Sequence, residues 1–169
     1  MTRVLSSMTF LMVFLLGGLS ALPVRAHDGQ DDDDDDARLS VTVAFGAGLN
    51  TTGAANQHVL PPVIRVKQGG VVNFVVAGFH QIFVYLPGTK VEDIVVPAMG
   101  TFINQTTDLL YQGLAPAGGP APGTPATANP ANGGNRVESV SFAERGNYLV
   151  ICNVRTHFVN GMWAIVKVR

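Results

Sequence analysis

Tyr148-Leu-Val-Ile-Cys152-Asn-Val-Arg-Thr-His157-Phe-Val-Asn-Gly-Met162-Trp163 is the stretch that decides how this chain folds. It opens as a β-type apolar run that ends on the chain's single cysteine, Cys152. A short polar segment follows, and Gly161-Met162 opens a second β-type run, Met162-Trp-Ala-Ile-Val-Lys-Val168. The spacing C-x4-H-x4-M lets one loop fold over a point at the end of the sheet and return. A thiol, an imidazole and a thioether thus share one connection between two strands.

Moving outward, the rest of the chain has the same β texture. Ser40-Val-Thr-Val-Ala-Phe45 and Val137-Glu-Ser-Val-Ser-Phe142 alternate polar and apolar residues. Val63-Ile-Arg-Val-Lys67 is followed by the turn signal Gln68-Gly69-Gly70, and Val71-Val-Asn-Phe-Val-Val76 resumes before Ala77-Gly78 breaks it. His80-Gln-Ile-Phe-Val-Tyr-Leu86 reads as another strand, closed by Pro87-Gly88. About seven short strands without a long amphipathic helix predict an all-β, Greek-key β-sandwich. The segment 93–114 suits either a short helix or a loop with an extra strand. Residues 115–135, rich in Pro, Ala, Gly, Thr and Asn, cannot build a core and read as a long flexible loop inserted in the domain.

A Greek-key sandwich makes neighbours of strands distant in sequence, so the upstream imidazole of His80 can reach the Cys152 loop. One Cys, two His and one Met then converge: Cys152, His80, His157 and Met162. This is the donor set of a mononuclear type 1 copper site, with His2Cys in a trigonal plane and a long axial Met. Taken singly, each residue has a plainer reading. Cys152 suits a small buried core side chain, Met162 suits core packing, and either histidine suits a core or surface position. Met99, with no partnered spacing, reads as core. Trp163 reads as packing beneath the site, and His58, ahead of Pro61-Pro62, as a surface loop residue.

These residues resemble a cupredoxin of the plastocyanin/azurin kind. The resemblance rests on the histidine after Gly-Gly-Val-Val-Asn-Phe, on Gly146-Asn-Tyr148 leading into Cys152, and on Gly161-Met162 opening the last strand. The equal spacings in the ligand loop are most similar to those of rusticyanin and auracyanin. The resemblance covers residues 39–169 apart from the 115–135 loop. It implies one copper ion held by His80, Cys152, His157 and Met162, cycling between Cu(I) and Cu(II) as a one-electron carrier. It also implies weak docking of redox partner proteins at the His157/Phe158 edge, with Val159, Pro87 and Phe79 in an apolar patch. One departure is Gln81, where cupredoxins usually carry Asn after the first histidine. It puts the hydrogen bonds to sulfur, which tune a metal site, in question.

The N-terminus sets the compartment. Arg3, the apolar run Met8–Leu16 and Val24-Arg25-Ala26 make residues 1–26 a Sec-type signal peptide, cleaved after Ala26. The apolar run is shorter than the about 20 residues a membrane span needs. Cleavage leaves about 143 residues, enough for one domain with tails. It also removes Arg3 and Arg25, leaving nine cations against twelve acids, a formal charge of about −3. Six of those acids are consecutive, Asp31 to Asp36, so residues 27–38 read as a solvated acidic leader ahead of a mildly basic domain. That is not a nucleic-acid footprint. A periplasmic or secreted protein with one cysteine forms no internal disulfide, and a metal would occupy the thiol. Four histidines in all cannot supply the second metal centre of a copper enzyme, so the chain reads as a non-enzyme; it is also expected to be a monomer. Two other readings stay open: a copper-delivery protein using the same donors, which the Asp run favours slightly, and a metal-free β-sandwich interaction module.

Overall fold

The computed structural model describes residues 37–46, 56–116 and 135–169. The signal peptide, nearly all of the acidic leader and most of the 115–135 loop lie outside the described residues. By its contacts the chain divides into Met1–Gln30 and Asp31–Arg169, and all described residues belong to the second unit. Among them no helix is long and apolar enough to cross a membrane.

Among the described residues, eight strands carry the fold: β1 (Arg38–Phe45), β2 (Val59–Leu60), β3 (Val63–Val76), β4 (Ile82–Tyr85), β5 (Leu109–Gln112), β6 (Arg136–Phe142), β7 (Gly146–Cys152) and β8 (Trp163–Val168). A 3-10 turn at Val91–Asp93 and a five-residue helix, α1 (Arg155–Val159), complete it. The order is β2-β1-β3-β8-β7-β4-β5, with β6 also on β3. The expected Greek-key β-sandwich forms, with one difference in its making. The two strands expected on either side of Gln68-Gly69-Gly70 are a single 14-residue strand. Its first part, Val63–Val66, pairs with β8, and its second, Gly70–Val76, pairs with β6. Gly69 takes a φ of +77°, so the glycine pair makes a corner within the strand. β3 therefore runs through both sheets.

Alternation explains the two cores. Along β7, Tyr148, Val150 and Cys152 face the interior, where they meet Val72, Phe74, Val140 and Phe142 of the other sheet. Leu149 and Ile151 face outward, into a second cluster with Phe83, Tyr85, Ile94, Ile103 and Phe158. The segment between β4 and β5 supplies Ile94 and Ile103 to cover that outer face. This is why β7 is apolar at consecutive positions: a strand buried on both faces has no solvent side to mark. The segment whose sequence left helix or strand open thus contains one 3-10 turn, a covering loop and the edge strand β5. Met99 is not core; it is 84% exposed on that covering segment.

The polarity of the strands collects their ends. β1 and β3 run parallel and both finish at Phe45-Gly46 and Val76-Ala77. β7 finishes at Cys152, which pairs with Ile82 at the start of β4. Met162 precedes β8. All of these meet at one pole of the sandwich.

Candidate metal centre

His80 sits just before β4, Cys152 ends β7, and His157 lies on α1. The structure brings their donor atoms together. Cys152 Sγ lies 3.7 Å from His80 Nδ1 and 3.7 Å from His157 Nδ1. The two Nδ1 atoms are 3.0 Å apart. The ring centroids are 4.8 Å apart and the planes cross at 59°, so both edges, not both faces, point at the shared space. A triangle with these sides has its centre about 2.0 Å from every corner, close to the bond lengths of about 2.0–2.3 Å that imidazole nitrogen and thiolate make to a first-row metal such as zinc. The donor chemistry fits a soft-thiolate, imidazole site for copper.

The loop between β7 and β8 closes on itself to build this triangle. The Cys152 N–H donates to the Met162 carbonyl at 3.0 Å, and the Met162 N–H donates to the His157 carbonyl at 3.0 Å. The N–H groups of His157 and Phe158 both donate to Val154 O, which forms α1. Gly161, at φ +92°, turns the chain after the helix, a conformation glycine adopts without a Cβ clash. Met162 is fully buried at this pole, within the inner core beside Cys152 and Ala164.

Backbone groups fix the other donor. The Ala77 carbonyl hydrogen-bonds the His80 ring and also accepts from Asn56 Nδ2 at 3.0 Å. Phe45 meets the ring edge-on at 6.0 Å. Gly46 leaves the space for this: a Cβ there would lie 2.7 Å from Ala77 O and 3.2 Å from His80 Nε2. With its far side held by a carbonyl, the imidazole keeps Nδ1 for the triangle.

The sulfur has its own partners. The backbone N–H groups of Gln81 and Val154 both hydrogen-bond Cys152, so the substitution of Gln for the usual Asn does not remove them. The Gln81 side chain does something else. Fully buried, it donates from Nε2 to Gly113 O at 2.9 Å and accepts at Oε1 from Asn153 Nδ2 at 2.8 Å. Asn153 also donates to Asn104 Oδ1 and accepts from the Asn104 N–H. The residue after His80 and the residue after Cys152 therefore clamp each other. The sequence reading gave Asn153 no role. The clue was a pair of amides, each directly following a donor.

Burial dominates the electrostatics. It pushes the Cys152 thiol up to about 12, against smaller opposing effects from the Gln81 and Val154 N–H groups and Arg136. It lowers His80 to about 4, with the nearby His157 adding to the effect, and it lowers His157 as well. Near neutral pH the three donors are thus uncharged. A thiolate forms here only when a cation replaces its proton, which couples metal uptake to proton release.

Not every expected residue belongs to the site. Phe158 is 7% exposed and packs under α1 into the outer cluster, so it is no part of an exposed edge. An aromatic side chain on a one-turn helix against a sheet gains more from burial than from solvent. Pro87 is also misplaced: it packs against Gly146, at the start of β7 and so at the opposite pole from Cys152. Phe79 and Val159 are exposed, at 41% and 63%. Trp163 packs against the outer cluster beneath α1 and not against the donors' inner face. His58 is exposed, as its sequence context suggests.

No protein-family model and no curated protein sequence matches the chain. Among solved structures, the fold is similar to several cupredoxins. Reduced auracyanin from Roseiflexus castenholzii is 15% identical, covering 79% of this chain and 98% of its own, with a TM-score of 0.48. Reduced rusticyanin is 15% identical over 77% of this chain and 79% of its own, with a TM-score of 0.43. A purple cupredoxin from Nitrosopumilus maritimus is 13% identical over 76% of this chain and 99% of its own, with a TM-score of 0.39. These likenesses concern the outline of the chain, and the site stands on its own donor atoms.

Proposed function

We propose that this protein is an exported one-electron carrier in which His80, Cys152 and His157 would hold a single type 1 copper ion, with the buried Met162 thioether as the further, weaker donor. One observation carries the reading: donor atoms of three buried or half-buried residues, from the approach to β4, the end of β7 and α1, form a triangle sized for one metal ion. Copper bound there would supply a one-electron couple in a trigonal site.

The chain's own contribution is rigidity. His80 is held through the Ala77 carbonyl, Cys152 by the end of β7 and by two backbone N–H groups, and His157 by α1. Strand ends and a one-turn helix closed by backbone hydrogen bonds leave the donors little freedom to move when an electron arrives. His157 is the half-buried donor, so its ring is the shortest route from the site to a partner. Val159 and Phe79 offer exposed apolar surface for a small, transient contact of the kind electron-transfer proteins make. Residues 1–26 direct export, and no group in the site performs catalysis of its own.

Titrating the metal-free protein with Cu(II) tests this. One equivalent should produce an intense charge-transfer band near about 600 nm from copper–thiolate bonding, absent from Cys152→Ser. No band, with Cys152 alkylated as fast in the presence of copper as without it, overturns the reading and leaves a β-sandwich interaction module.

A further inference from the structure

Behind His80, away from the donor triangle, lies a second polar cluster. Arg136 opens β6, in the other sheet from β4. Its Nη2 donates to the carbonyl of His80 at 2.9 Å and to that of Leu114 at 3.0 Å. Its Nε donates to Glu138 Oε1 at 2.6 Å. Glu138 Oε2 in turn accepts from the Tyr111 hydroxyl at 2.8 Å and from the Leu114 N–H at 3.1 Å. Glu138 is 4% exposed and stands in the inward register of β6 with Val140 and Phe142. Gly113 is what admits it: a Cβ there would lie 2.6 Å from Glu138 Oε2.

Stability is a weak reason for such a pair. Desolvating two charges offsets most of their attraction, and apolar residues of similar volume often serve a core as well or better. The position suggests another role, because the guanidinium grips the main chain of a donor residue from the opposite sheet. We infer that Arg136 is a positioning residue for His80, and that the Arg136–Glu138 pair sets the reduction potential of the copper site. This rests on the copper reading above.

The sign follows from the geometry. A cation near the site favours the less positive oxidation state, Cu(I), and so raises the potential. Glu138 is bound to the Nε of the same guanidinium and makes no bond to a donor residue in its own right, so it cancels part of that effect. The guanidinium is in direct contact with a donor residue, its Nη2 lying 2.9 Å from the His80 carbonyl oxygen, so its charge acts on the site from close range.

The test is potentiometric titration of the copper-loaded protein, with its visible band as a check on the site. Glu138→Gln should raise the potential. The double variant Arg136→Gln with Glu138→Gln, which leaves no buried charge unpaired, should lower it below that of the parent. Each change should be at least tenfold in the Cu(I)/Cu(II) ratio at a fixed potential, about 59 mV for one electron. Tyr111→Phe, which removes one hydrogen bond to Glu138 without changing charge, should lower the melting temperature of the metal-free protein and move the potential less than either. If both charge variants keep the band and the parent's potential, or shift it in the same direction, the pair is only structural and the inference is wrong. A parent protein with no copper–thiolate band sinks the copper reading itself.

Discussion

Replacing Asn153 by alanine should loosen the site without touching a donor atom. Its side chain makes three hydrogen bonds, to Gln81 Oε1, Asn104 Oδ1 and the Asn104 N–H. In the variant, Gln81 Oε1 loses its donor in a position with no exposure, which costs about 1–3 kcal/mol. Asn104 is exposed and turns to water, so its lost bonds contribute about 0.5–1.5 kcal/mol. The sum, about 1.5–4.5 kcal/mol, corresponds to a fall in melting temperature on the order of 10 °C for a folded region of this size. The main-chain bond from Asn153 N–H to Gln81 O, at 2.8 Å, survives, so the two segments separate only partly. Copper affinity should therefore fall by about 10–100-fold, as for other residues that orient metal ligands. Urea unfolding of the metal-free protein measures the first effect, and competition with a chelator of known affinity measures the second. A stability change under about 0.5 kcal/mol, the range of an ordinary surface substitution, together with unchanged copper affinity, would refute the clamp.

Acid should destabilise the metal-free protein within a defined window. His80 titrates near 4 in the fold against 6.5 ordinarily, so the unfolded chain takes up its proton first; stability is complete above about pH 6.5 and is lost as pH falls toward 4, by on the order of 3 kcal/mol. His157 shifts the same way, and denaturant midpoints at several pH values check the trend. Gly46→Ala places a methyl 2.7 Å from Ala77 O at a φ of +107°, and should cost about 1–3 kcal/mol and weaken copper binding through His80, read by melting and by copper titration. Val159→Asp should leave spectrum and melting temperature unchanged and slow electron exchange with a redox partner, whereas Phe158→Asp, by burying a charge, should cost several kcal/mol; the two melting curves separate the surface residue from the structural one.

The strands and the meeting of Cys152 with two histidines were legible because both leave local signs. Alternation marks β1 and β6, and the C-x4-H-x4-M spacing announces a loop that returns to one point. What was hidden depends on contacts between distant segments. Gln68-Gly69-Gly70 reads as a turn between two strands, and only the pairing of β3 with β8 on one side and β6 on the other makes it a corner within one strand. Met99 and Phe158 are both apolar residues in the connections between strands, and nothing nearby in sequence says that one faces solvent and the other a second core. Pro87 lies only seven residues from His80, yet β4 carries it to the far pole. Glu138 did leave a trace: an acid in the inward register of an alternating strand, with Val140 and Phe142, demands a buried partner, and Arg136 stands two residues before it.

The central claim is that one ion between His80, Cys152 and His157 gains and loses a single electron in place. Stepwise reductive titration of the copper-loaded protein, with a chelator present and the visible band followed, tests it most directly. The account predicts that one electron per copper bleaches the band and that reoxidation restores it in full, with the metal retained throughout. Loss of copper to the chelator on reduction, with no recovery of the band, would contradict it and point to copper delivery instead.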